Sequence, residues 1–140
     1  GTITPASGFV GPGGAVLIGF SAGIICYFAT QMLKLRFRID DSLDVFPVHG
    51  IGGILGTLLA GIFISADLGV FSGQGYAEGM AMDSQLKVQF IGVLSTLVYT
   101  AVLTFVLLKL VNLMVGLRVD DEEETQGLDI SQHDERGYDI

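Results

Sequence analysis

A single imidazole, His49, stands in the run Asp44 to Gly56, DVFPVHGIGGILG, about one helical turn in from its start. It is the only Asp, Glu, Lys, Arg or His between Val45 and Ala66. A neutral imidazole carries one donor and one acceptor, so it can relay a proton or bond a small polar solute without a permanent charge. Ionisable side chains inside apolar spans are commonly tied to ion or proton pathways. The plainer alternative is a hydrogen-bonding residue between helices. A zinc site would need further His, Cys or acidic ligands, and this run offers none. Enzyme chemistry would need a nucleophile or an acid–base partner beside His49, and the apolar runs supply neither.

The spacing says which way the ring points. On a 3.6-residue helix Val45, His49, Gly53, Gly56 and Ala60 share one face, while Ile51, Leu55, Leu58 and Ile62 form another stripe. A stripe of small residues lets another backbone approach closely, as in Gly52-x-x-x-Gly56 or Gly19-x-x-x-Gly23. His49 is therefore expected to face protein or a cavity rather than lipid.

The elements that must position this residue are membrane helices. Half of the 140 residues are apolar and 16% are charged, against roughly 25% charged in soluble domains. Glycine, at 20 residues, is enriched without any collagen-like period. Three windows, 13–33, 45–66 and 88–108, lack Asp, Glu, Lys and Arg. At about 1.5 Å per residue each is long enough for a hydrocarbon core of about 30 Å. The expected class is an all-α membrane protein with helices over 13–34, 45–66 and 85–115. Asp44 is an expected N-cap of the second helix with Pro47 in its first turn, and Asp83 an expected cap of the third. The first helix lacks the features of a signal peptide. The opening without Met is what a piece of a longer chain would show. Cys26 lies inside the first span and says nothing of redox compartment.

Charge sets the expected orientation. Lys34, Arg36 and Arg38 fall in the first connection, 35–44 and its approach, whereas the second, 67–84, is followed only by Lys87. By the positive-inside rule the first connection is cytoplasmic, so 1–12 and 67–84 are extracytoplasmic and the tail is cytoplasmic. Residues 116–140 hold nine acidic and two basic side chains, most of the net charge of −8. The five acids Asp120 to Glu124 read either as a solvated, disordered stretch or as part of a short ordered element. Nothing points to a cofactor or to nucleic acid.

Four stretches carry a resemblance: TITPASGFVGPGGA, LRFRIDDSLDVFPVHGIGGILG, AEGM before a long helix, and VGLRVDDEEETQGLDISQHDE. In this order they resemble the carboxyl-terminal part of the ammonium transporters, the Amt/Mep/Rh superfamily, and are most similar to its bacterial Amt branch. The resemblance implies an eleven-helix transporter fold, of which 1–12 would end helix eight, followed by helices nine to eleven and the cytoplasmic tail. It implies a homotrimer in the cell membrane, with ammonium or ammonia as the solute of one pore per subunit. His49 matches the second of a pair of pore histidines, Thr4 a position near the pore end of helix eight, and Val45 one near the cytoplasmic exit. Asp40, Asp41 and Asp44 match an acidic group at the cytoplasmic entrance to helix ten. For Thr4 the alternative is a hydroxyl bonding its own backbone, for Val45 core packing, for Asp40 and Asp41 solvated loop charges, and for Asp44 a cap. Gly116, Arg118, Gly127, Asp129 and His133 match a tail that couples subunits and takes part in binding a PII-type signal protein. Family members commonly have glycine after that histidine, where this chain has Asp134. The function implied is ammonium transport; the second function considered is an ammonium sensor acting through the tail.

Overall fold

The computed structural model describes residues 1–68 and 72–137. The three loop residues 69–71, inside the expected second connection, and the last three of the tail lie outside the described residues. Among the described residues the regular structure is helical, with two isolated antiparallel bridges, Val10 to Ile64 and Asp67 to Ser72. Two compact units divide at Thr96 and Leu97.

The first unit contains a short 3-10 turn, Thr4–Ala6, then α1, Pro12–Gln31, then α2, Gly52–Phe63. Proline at the first position of α1 costs nothing, because the first amides of a helix have no intrahelical partner. The helix does not stop at Gln31. It widens into a π turn over Met32–Arg36 and closes where Arg38 turns left-handed, at φ 52°, with Ile39 N–H donating to the Leu33 carbonyl. A second π turn, Phe46–Ile51, leads into α2. Counted together these make apolar helices over Pro12–Arg36 and Phe46–Phe63; the third, Met82–Met114, is α3. All three are long and apolar enough to cross a membrane.

The contacts give α1 and α2 an antiparallel arrangement. Gly14 near the start of α1 meets Phe63 at the end of α2, Cys26 meets Gly52, and Lys34 reaches Asp44. The segment before α1 runs alongside α2 in the same sense, with Gly1 beside His49 and Phe9 accepting a hydrogen bond from Ser65 N–H. Ala6, Ile18 and Ala60 form the small buried core, with Val10, Leu59 and Phe63 packed against it. Ile64 leaves the helix to pair with Val10, so α2 ends three residues short of the charge-free window.

Helix α3 runs 33 residues, about 50 Å at the usual rise. Asp83 lies inside its first turn and faces Lys87 at 3.9 Å instead of capping from outside. Near its start, Leu86 and Gln89 lie against Gly61, whose carbonyl also accepts a bond from the Tyr76 hydroxyl at 3.0 Å. The second unit continues α3 and adds two short helices, α4, Asp121–Gln126, and α5, Leu128–His133.

Candidate functional site

The turn that carries His49 is held by two acids and a lysine. Asp41 accepts from two backbone amides at once, Oδ1 from Val45 at 2.9 Å and Oδ2 from Phe46 at 2.8 Å. These two bonds hold its carboxyl below the usual carboxylate range, with the Phe46 amide the larger cause. The expectation that Asp44 caps this helix is thus corrected. Asp44 is itself left-handed, at φ 55°, and its N–H donates to the Asp41 carbonyl. That reversal brings Asp41 over the helix start and turns the Asp44 side chain towards α1, where it pairs with Lys34 at 2.8 Å. Asp40 is exposed and also engaged in an interaction.

The π turn changes the register that a 3.6-residue reading assumes. Gly52 N–H reaches back five residues to the Pro47 carbonyl, so the turn holds an extra residue. The buried line accordingly runs Pro47, Gly52, Gly56, Ala60, five residues and then four and four. Along it Gly52 and Gly56 admit Thr2: the Thr2 hydroxyl lies 2.7 Å from where a Cβ on Gly52 would sit, and the Thr2 backbone carbonyl lies against Gly56. This is the close backbone approach expected of Gly52-x-x-x-Gly56. Gly19 and Gly23 meet nothing within 4 Å.

His49 stands beside that line rather than on it. The ring is exposed within this chain, as is Val45, and Gly53 has open space before it. The Nδ1 atom of His49 lies 3.6 Å from where a side chain on Gly1 would project. An open apolar face with one imidazole, backed by the Gly1–Thr2 backbone, can exchange a hydrogen bond with a small solute while the helix behind it stays packed. Thr4 is exposed, and its carbonyl accepts from Ser7 N–H at 3.2 Å. The buried threonine is instead Thr2, which sequence reasoning did not single out; its signal was the glycine pair that receives it.

In the tail, Gly116 and Gly127 take left-handed φ values of 81° and 99°, at the end of α3 and between α4 and α5. Arg118 donates through Nε and Nη2 to both oxygens of Glu124, at 2.9 and 2.7 Å. That pair lowers the Glu124 carboxyl below its usual range. The acids from Asp121 therefore form the start of an ordered helix, where the dipole favours negative charge. The Ser131 hydroxyl ties α5 to the Glu123 and Gly127 carbonyls. Asp129 and His133 are exposed and one turn apart on α5. Asp134 adopts the left-handed conformation itself, at φ 51°, and the turn forms. Glu124 was not foreseen, because six residues from Arg118 is not a helical pair spacing.

The family model described as Ammonium Transporter Family matches residues 2–138. Ammonium transporter Amt1 of Archaeoglobus fulgidus is 43% identical over 97% of this chain and 34% of its own length. An ammonium transporter of Aquifex aeolicus is 41% identical over 99% of this chain and 31% of its own. One of Bacillus subtilis is 38% identical over 97% and 33%. The chain thus spans about a third of the length of the curated relatives it matches.

Proposed function

The chain belongs to the ammonium transporter family, and from that premise we propose that it forms one wall of an ammonium pathway lined by His49. The single observation that supports this most is the exposed imidazole on an open apolar face, on a helix start held by Asp41, Asp44 and Lys34. Moving a bare ammonium-sized cation into an apolar medium carries an idealised penalty on the order of 20 kcal/mol, and still several after relaxation. An apolar conduit therefore favours neutral ammonia, with the proton carried separately. His49, neutral, would accept or donate along that line, paired with a second histidine from the rest of the protein. Val45 would lie near the cytoplasmic exit and Thr4 near the pore end of the helix that precedes residue 12.

The first connection, with Lys34, Arg36 and Arg38, and the tail would face the cytoplasm by the positive-inside rule. Assembly as a homotrimer and docking of a PII-type protein on Gly116, Arg118, Gly127, Asp129 and His133 complete the proposal. A sensing role through the tail is the second reading; the ordered Arg118–Glu124 element favours it. A pull-down with the cognate PII protein, with and without 116–140, tests the docking.

The pathway is tested with the full-length protein in planar bilayers or liposomes. His49→Leu keeps the bulk and loses the relay, so ammonium-evoked current should change. Current and flux equal to wild type would remove His49 from the pathway.

A further inference from the structure

We infer that Asp41 is the positioning residue for His49, acting through its double hydrogen bond to the first amides of the helix. The inference rests on the pathway role of His49 proposed above. A π turn bonds each amide five residues back, so its first amides are left without intrahelical acceptors. One carboxylate supplies two acceptors in a fixed plane, and both oxygens of Asp41 are spent on consecutive amides, Val45 and Phe46. His49 follows three residues after Phe46, inside the same π turn. The tilt of that turn therefore sets where the imidazole projects. Bonds of a charged acceptor to backbone N–H are shorter and about twice as strong as neutral ones, so the hold is stiff for a residue whose side chain this chain itself leaves exposed.

Three features make this more than an ordinary cap. The left-handed Asp44 is what brings Asp41 back over the helix start. The Lys34 to Asp44 pair then ties the reversal to the end of α1. Finally, Pro47 has no amide to donate and is fully buried, so the turn is anchored on its core side by packing and on its open side by Asp41. Without Asp41 the Phe46–Ile51 turn has an alternative, a 3.6-residue register, which would rotate His49 relative to Gly1.

The experiment is a double-mutant cycle on the full-length transporter, reading maximal ammonium flux, apparent KM and elution volume. Asp41→Ala should lower maximal flux about tenfold or more, as misplacement of a working group does, with elution and KM close to wild type. Asp41→Asn, which keeps one acceptor oxygen, should lose less. In a His49→Leu background Asp41→Ala should change nothing further, which a merely structural role would not produce. Wild-type flux in Asp41→Ala, or the same fold-loss with and without His49, overturns the inference. If Asp41→Ala elutes abnormally, the cycle is read on Asp41→Asn by the same criteria. His49→Leu with wild-type flux removes the pathway reading and this inference together; a defective His49→Leu beside an unaffected Asp41→Ala removes the inference alone.

Discussion

The backbone carbonyl of Thr2 occupies the space that a side chain on Gly56 would need. Because backbone cannot swing aside as a flexible side chain can, Gly56→Ala must push the Gly1–Ala6 segment off α2. Overpacking of this kind costs about 1–3 kcal/mol. Gly53, one turn earlier, meets nothing within 4 Å, and Gly53→Ala should be neutral or stabilise by up to about 1 kcal/mol through helix propensity. Thermal unfolding of the two variants in detergent measures the contrast; equal midpoints would mean that Thr2 does not pack there.

The same pair shows what a sequence can and cannot reveal. Glycines four apart on an apolar helix announce a close neighbour, and the neighbour came. Which residue it was could not be read, since Thr2 is fifty positions away and its approach depends on the turn at Thr4–Ala6. His49 was legible as the one ionisable group in its span. Its exact line on the helix was not, because the extra residue of the π turn shifts a register counted at 3.6. The cap was expected at Asp44; the left-handed backbone there instead brings Asp41, three residues earlier, onto the first amides.

In the tail the acid run concealed an ordered element because the partner of Glu124, Arg118, stands six residues before it. The pairing predicts a pH response. The Glu124 carboxyl is depressed below its ordinary value of 4.5 by Arg118, so the unfolded tail takes up a proton first. The contribution of the pair to tail order is therefore present in full above 4.5 and is lost as pH falls through the lowered value. Hydrogen-exchange protection factors over 118–126 should hold between neutral pH and about 5, then fall. Glu124→Gln should lower protection at neutral pH and flatten that step. Arg118→Lys should lower it as well, because a point charge cannot match both carboxylate oxygens. A step of the same size in Glu124→Gln would show that the other acids produce it.

The close of α5 gives the last prediction. Glu135 N–H donates to the Asp129 carbonyl at 2.9 Å and Asp134 N–H to the Ile130 carbonyl at 3.2 Å, the paired bonds of a helix end that turns through a left-handed residue. That residue is Asp134, at φ 51°. Aspartate visits this conformation more readily than most side chains, yet glycine does so without a Cβ penalty. Asp134→Gly should therefore stabilise the close of α5, and Asp134→Val, branched at Cβ, should weaken it by about 1–2 kcal/mol. Amide exchange at Asp134 and Glu135, compared among the three proteins at one pH, reads the order directly. Protection in Asp134→Val equal to that of the parent would mean that these two bonds do not depend on the left-handed turn.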